Sequence, residues 1–531
     1  MNEKEKFYIT TPIYYPSSKL TLGNCYTTIV CDALARFNRM LGKDVFYLTG
    51  TDEHGQKIQK KAEEAGKTEM EFINEIVSET KDLWKKLDIT YDKFIRTTDA
   101  QHESAVKKIF NQLYEQGDIY KSYYSGLYCT PCEAFWTEEQ LVDGKCPDCG
   151  RPVAPANEEA YFFRLGKYAD RVQKLLEEDS EFLVPKSRVN EMINNFIKPG
   201  LADLCVTRKT VKWGIPVDFD PEQTIYVWLD ALNNYITALG YNSDDDTNYR
   251  KYWPADVHIV GKEIVRFHAI IWPAILMALN LPVPKKIMAH GWILFGGDKL
   301  SKSKEVDAID CFDPRILLSR YGNDSIRYYL LREIPFGSDG NYSQDLFLNS
   351  FNNALCNEMG NLISRTLGML DKYNNGIIHT VTELTDLDRE FQKFVLDKKE
   401  SIISNVIKIK PTEAITEVFD IFRRSNKYID ENEPWILAKD PNNKDRLNSV
   451  LCNLSEAIII GCTLALPFLP EKTPLAFAGF NVPVPTSFDS IGSFGFLPEG
   501  LQTHKNENLY PRLDINLENE ELHKITASQK Q

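Results

Sequence analysis

Two apolar strands separated by one amphipathic helix open the chain. Lys6 to Thr11 (KFYITT) alternates as a strand does. Thr28 to Leu41 then sets Ile29, Ala33, Leu34, Phe37 and Leu41 at helical spacing and stops before Gly42, and Asp44 to Thr49 (DVFYLT) is again strand-like. A β-α-β order calls for parallel neighbouring strands covered on both faces, so the start commits the chain to an α/β fold. Ligands of such sheets sit beyond the carboxyl ends of the strands. Two segments stand at such ends: KLTLGNC (Lys19 to Cys25) and TGTDEHG (Thr49 to Gly55).

The α/β pattern is interrupted and then resumes. A helical stretch spans roughly Glu63 to Leu87, and from about Tyr120 the pattern turns irregular and aromatic-rich, as an insertion does. Sheet-like signals return at TIYVWLDAL (Thr224 to Leu232), VHIVG (Val257 to Gly261) and KKIMAHGWILF (Lys285 to Phe295), with a helix from Val265 to Leu279 between the last two. From about Phe347 onward the periodicity is helical: Ala354 to Leu370, Leu387 to Val406, Pro411 to Tyr428, Pro434 to Lys439 and Leu447 to Leu466. The expected architecture is a split parallel-sheet domain followed by a helical bundle, a size that 531 residues accommodate. Ser449 to Pro470 is apolar enough to pass for a membrane span, but Asn453, Glu456 and two prolines make it a buried bundle helix. MNEKEKFYIT has no apolar signal region, and eleven cysteines, seven of them scattered, suit a reducing cytosol.

The other four cysteines form C-x2-C pairs: Cys129 with Cys132, and Cys146 with Cys149. Four thiolates at that spacing suit one tetrahedral Zn²⁺ in a closed, structural site. A second phosphate candidate, GGDKLSKSK (Gly296 to Lys304), follows the strand-like Ile293 to Phe295. Its lysines and hydroxyls can neutralise a polyphosphate, although from charge alone a lysine-rich surface loop with no function is the better reading. The net charge of −14 excludes general attraction to nucleic acid, so any such contact must be local.

Taken in order, TPIYYPSSKLTLGN, FYLTGTDEHG, the cysteine knuckle, WGIP (Trp213 to Pro216), YVWLDALNNY, IVGKEIVRFHAIIWPA, MAHGWILFGGDKLSKS, YGNDSIRYYLLREIPFG, NEMGNLISR and DENEPW resemble the blocks of the methionyl branch of the class I aminoacyl-tRNA synthetases, from about residue 7 to residue 470. The resemblance implies a Rossmann-type catalytic domain in two halves (1–115 and 223–315), a zinc-bearing insertion (116–222), a stem-contact segment (316–347) and an α-helical anticodon-binding domain (348–531). It implies ATP-dependent activation of methionine to an adenylate, then transfer to tRNA(Met) in the cytoplasm, with Mg²⁺ accompanying ATP and one structural Zn²⁺.

By the same resemblance, Thr21, Gly23, Asn24, Gly261, Lys262, Lys299 and Lys302 face ATP, with Lys302 and Lys299 the catalytic cations. Ile13, Tyr15, Asp52, Trp228, Ala231, Leu232, Tyr235 and His290 hold methionine, Asp52 taking the α-ammonium. Asn361, Arg365 and Trp435 read a CAU anticodon, while the acceptor end enters the catalytic domain. Spacing alone would make Trp228, Leu232 and Tyr235 core packing, His290 an interior histidine, and the anticodon trio an ordinary polar pair beside a core tryptophan. The family writes its first phosphate motif His-Ile-Gly-His; here the four positions read Thr21-Leu22-Gly23-Asn24, leaving neutral donors where imidazoles are usual. A working enzyme is expected, because the other blocks stand; a weakened relative that binds tRNA or regulates is the alternative. The loop departs from the family after Ser303, where KEVDAIDCFDP replaces the usual Gly-Asn pair. With about sixty residues after the last helix, a monomer without an extra tRNA-binding module is expected.

Overall fold

The computed structural model describes residues 4–129, 134–136, 138, 141–147, 149–295, 298–299, 313–505 and 507–529. It divides into two compact units, one of Met1–Leu20, Asp44–Trp84 and Thr90–Gly291, the other of Thr21–Lys43, Lys85–Ile89 and Trp292–Gln531.

In chain order the elements that matter begin with β1 (Lys6–Thr10), α1 (Leu22–Met40), β2 (Asp44–Thr51), α2 (Gln56–Glu64), α3 (Glu69–Lys86), β3 (Lys93–Arg96), α4 (Ala100–Glu115), β4 (Ile119–Cys129) and β5 (Ala154–Phe163). They continue with β6 (Leu183–Val184), β7 (Asp220–Ile225), α5 (Val227–Leu232), α6 (Asn234–Thr237), β8 (Val257–Gly261), α7 (Phe267–Ala278), β9 (Ile287–His290) and β10 (Ile293–Phe295). The first unit is built on a six-stranded, all-parallel sheet in the order β3-β2-β1-β8-β9-β6. Ile9 stands between Tyr47 and Val257, and Val260 beside Ala289. Every residue of β8 and β9 is buried, which is why these strands read as continuous apolar runs. The insertion is a long antiparallel pair, β4 with β5, and β4 ends at Cys129.

Four expectations change at their edges. Helix α1 starts at Leu22 and not at Thr28, because Thr21 and Asn24 form a capping box: the Asn24 side-chain oxygen accepts the Thr21 backbone N–H at 3.0 Å and its hydroxyl at 3.3 Å. The stretch from Glu63 to Leu87 is two helices, broken where Gly66 takes a φ of +66° that other residues rarely adopt. TIYVWLDAL is strand only to Ile225; Val227–Leu232 is the helix α5, since an apolar run buried on all sides reads alike for either element. KKIMAHGWILF breaks at Gly291 and Trp292, so β9 joins the six-stranded sheet while β10 pairs with Gly340–Tyr342 and Asp298–Lys299.

The second unit adds α8 (Asn323–Arg332), α9 (Asn361–Asn374), α10 (Asp386–Ile407), α11 (Pro411–Asn432), α12 (Pro434–Leu437) and α13 (Lys444–Ala465). Pro441–Ala465 is long and apolar enough to cross a membrane, yet 94% of its most apolar window is buried inside the fold. Its Glu456 carboxylate accepts the backbone N–H groups of Gly495 at 2.7 Å and Leu497 at 2.9 Å. Deeper still, the buried Arg327 of α8 meets the buried Asp32 of α1 at 2.8 Å and donates to the Phe468 carbonyl at 2.7 Å. Such a pair is costly to break by removing one partner.

Candidate functional site

The carboxyl end of β2 is pinned residue by residue. The Asp52 backbone N–H donates to the Tyr14 carbonyl at 3.0 Å, and Tyr14 itself bridges Thr51. Glu53 is buried and its carboxylate takes Arg96 Nε at 2.7 Å and the Thr51 hydroxyl at 2.6 Å, while its N–H donates to the Thr97 hydroxyl at 2.9 Å. The Trp213 indole donates to the Glu53 carbonyl at 2.6 Å, and Gly55, at φ +114°, donates to the Trp213 carbonyl. His54 Nδ1 lies 2.7 Å from Asp230 Oδ2. Burial alone would lower the His54 pKa, but Asp230 and Glu103 outweigh it and raise it to about 10. Between these anchors Asp52 is half-buried, its position set by the chain on either side.

The same unit packs a set of aromatic and apolar side chains together. Trp228 stacks on Phe267 with ring centroids 3.6 Å apart and 6° between planes. Leu232 and Tyr235 are buried in the core, against which Ile13 and Trp228 pack partly exposed; Ala231 is buried and Tyr15 half-buried, with Lys57 Nζ 5.4 Å above its ring. The Tyr235 hydroxyl lies 2.8 Å from Nε2 of His268, whose Nδ1 is 2.9 Å from the Ile264 carbonyl. Burial holds His268 neutral, with its pKa lowered to about 4, so Nδ1 carries the proton and Nε2 accepts from Tyr235.

The histidine bonded to Tyr235 is thus His268, which the sequence reading passed over. Its spacing of four from Ile264, within IVRFHAIIWPA, was the available signal. His290 ends β9, buried, with Nδ1 2.8 Å from the Gly291 carbonyl and a pKa lowered by burial. Gly261 ends β8, and Lys262 follows it half-buried.

Gly23 and the described part of the lysine loop, Asp298 and Lys299, both belong to the second unit. Gly23 sits in the first turn of α1. Among the described residues, a Cβ there would meet only Thr21 Oγ1, at an ordinary 3.6 Å. Tyr26 of α1 donates to the Ile334 carbonyl at 3.5 Å and packs its ring on Phe336, just ahead of the strand Gly340–Tyr342 that pairs with β10. On the far side of the loop, Arg315 and Asp313 act electrostatically on the neighbouring Cys25 thiol of α1. Lys299 lies in the short strand beside β10, and Lys302 lies outside the described residues.

Cys129, Cys146 and Cys149 bring their sulfurs within 4.8 Å of one another, Cys129 and Cys149 being 3.6 Å apart. Thiolates 2.3 Å from a tetrahedral Zn²⁺ stand about 3.8 Å apart, so this spacing fits the ion. Cys132 lies outside the described residues. Buried Trp136 packs against the cluster.

In the bundle, Asn361 and Arg365 occupy successive turns of α9, both exposed. The Arg365 guanidinium lies 5.3 Å over the ring of Trp435, which opens α12 behind Pro434, and 3.4 Å from Asp430 Oδ1. Asn361 accepts from Asn508 at 3.3 Å. A half-exposed indole under a guanidinium is a surface on which an unpaired base can stack.

Comparison with known proteins agrees with this picture. Residues 7–158 and 152–367 match the family model described as tRNA synthetases class I (M). The methionine–tRNA ligase of Clostridium acetobutylicum is 52% identical over all of this chain, and that of Caldanaerobacter subterraneus 52% identical over 98% of it; the chain spans 81% of each relative's length. Among solved structures, the Mycobacterium tuberculosis methionyl-tRNA synthetase in complex with methionyl-adenylate superposes with a TM-score of 0.91 at 35% identity, covering 96% of this chain and 100% of that one. Its apo form gives 0.84 at 33% identity, covering 97% and 99%.

Proposed function

The chain belongs to the class I tRNA synthetases of the methionyl family, and from that premise we propose how its own residues divide the work of a methionine–tRNA ligase. The methionine carboxylate attacks the α-phosphorus of ATP and expels pyrophosphate; the methionyl group then passes to a ribose hydroxyl at the 3′ end of tRNA(Met). No protein nucleophile is needed, so alignment and charge compensation carry the rate.

Asp52 takes the α-ammonium of methionine. The unbranched thioether packs against Trp228, Ala231, Leu232, Ile13 and Tyr15, with Tyr235 and His268 closing the far wall and His290 at the rim. ATP arrives with Mg²⁺, and by the family resemblance Gly23, Gly261 and Lys262 are assigned to it, the N-terminus of α1 being suited to phosphate. Lys302 and Lys299 compensate the charge that builds on the departing pyrophosphate. Thr21 and Asn24, which cap α1, offer neutral donors in that turn. Cys129, Cys132, Cys146 and Cys149 would hold a structural Zn²⁺, whose chemistry is to knit the insertion through four thiolates. Asn361, Arg365 and Trp435 read the CAU anticodon of a cytoplasmic tRNA(Met) by stacking and edge hydrogen bonds.

The observation that carries this reading is Asp52 fixed at a strand end, in the same unit as an apolar, aromatic wall. The test is pyrophosphate exchange with each amino acid in turn. Methionine alone should support it at low concentration, and a Thr21→His, Asn24→His variant should not lose it. Exchange driven better by another apolar amino acid, or none at all with tRNA binding retained, overturns the reading.

A further inference from the structure

Asp230 sits on α5 between the proposed methionine contacts Trp228 and Ala231, and it is 1% exposed. Its two oxygens are taken by imidazoles from two other elements. Oδ2 lies 2.7 Å from His54 Nδ1 at the end of β2, and Oδ1 lies 2.7 Å from His102 Nε2 on α4. His102 continues through Nδ1 to the Thr237 hydroxyl of α6 at 2.6 Å. Beyond the bridge, His54 Nε2 is 3.6 Å from Glu103 Oε1, and the His54 ring lies 5.5 Å from that of Trp213. His54 and His102 are themselves 4% and 1% exposed.

Apolar side chains of similar volume would hold these elements together at no greater cost, because desolvating a carboxylate is expensive even when it is paired. What a bridge of two charge-assisted hydrogen bonds supplies instead is direction: each fixes a distance and an angle. We propose that the His54–Asp230–His102 bridge is a positioning device for the known reaction, locking the β2 end that carries Asp52 to the α5 turn that carries Trp228 and Ala231. These are the two halves of the methionine seat. His54 is two residues from Asp52, and Asp230 is two from Trp228 and one from Ala231, so a shift in the bridge moves both halves at once. None of the three touches substrate; they act through Asp52 and α5. The inference rests on the assignment of Asp52 and Trp228 to methionine made above.

The experiment is methionine-dependent pyrophosphate exchange on the full chain, with methionine and ATP varied separately, for Asp230→Asn, His102→Leu and His102→Gln. Glutamine keeps an N–H donor toward Asp230; leucine does not. Asp230→Asn and His102→Leu should raise the KM for methionine roughly ten- to a hundredfold, the size expected from misplacement on the ångström scale, with the KM for ATP unchanged to within about twofold. His102→Gln should stay close to the parent. The proposal is overturned if the methionine KM does not move, if both KM values rise together, or if His102→Gln is as impaired as His102→Leu. Should Asp230→Asn fail to fold, the two His102 variants decide by the same criteria. A parent chain inactive with methionine would instead overturn the functional reading, which separates the two failures.

Discussion

Replacing Tyr235 by Phe removes a single oxygen from a ring that is 1% exposed and leaves its stacking on His258, 4.1 Å between centroids, in place. The lost hydroxyl is the donor to His268 Nε2, so the change strands an acceptor inside the core, a cost of about 1–3 kcal/mol. The sign with pH follows from linkage. His268 has a folded pKa of about 4 against 6.5 unfolded, lowered by burial, so its stabilising share is complete above pH 6.5 and drains away as the pH falls toward 4. That share amounts to roughly 3 kcal/mol. Tyr235→Phe leaves that burial in place, so the imidazole stays neutral down to about pH 4 and the stranded Nε2 costs the variant the same amount over that whole range. His258 is also buried with a lowered pKa, but it stays in both proteins and cancels in the comparison. Urea midpoints followed by tryptophan fluorescence should therefore be lower for the variant from pH 7.5 down to about pH 5, the two curves running parallel. The methionine KM should rise in parallel at pH 7.5. Equal midpoints at pH 7.5, or a difference that disappears well above pH 4, would refute the His268–Tyr235 argument.

Lys302→Ala should depress pyrophosphate exchange by two or more orders of magnitude, as loss of transition-state charge compensation does, while methionine binding by equilibrium dialysis stays near the parent; exchange that survives nearly intact removes Lys302 from catalysis. Arg365→Lys keeps the charge but loses the planar group over Trp435, so tRNA(Met) binding should weaken by about 1–2 kcal/mol with tRNA-independent exchange untouched. Cys146→Ser should lower zinc content measured by atomic absorption and expose β4 and β5 to protease, whereas full zinc retention would dismiss this cysteine as a ligand.

Much of the architecture was legible because it follows from periodicity alone. β1, β8 and the helices α10, α11 and α13 fall within a few residues of where apolar spacing places them. The misreadings at TIYVWLDAL and KKIMAHGWILF share one cause, which is that apolar runs do not declare their period. Val227–Leu232 is helical because Tyr226 ends the strand and its i→i+4 bonds close over buried residues, a choice made by packing. The start of α1 was hidden among Gly23, Asn24 and Thr27, poor helix formers that a capping box overrides. Site residues divide in the same way. Cys129, Cys146 and Cys149 announce themselves by local spacing, but His102 meets Asp230 across 128 positions and His54 meets it across 176. Nothing in a linear pattern joins residues so far apart; only the sheet and the helices laid on it do.

The strand order carries a consequence for how this chain is made. β1, β2 and β3 can zip together as soon as the first hundred or so residues leave the ribosome, but β1's other neighbour, β8, is not translated until residue 257, and β6, at residues 183–184, pairs with β9 at 287–290. For most of translation, then, an incomplete parallel sheet presents an unpaired apolar border to its surroundings, the kind of surface that invites aggregation and chaperone capture. The delay is built into the connectivity, and a circular permutant that brings residues 257–290 ahead of β1 would shorten it.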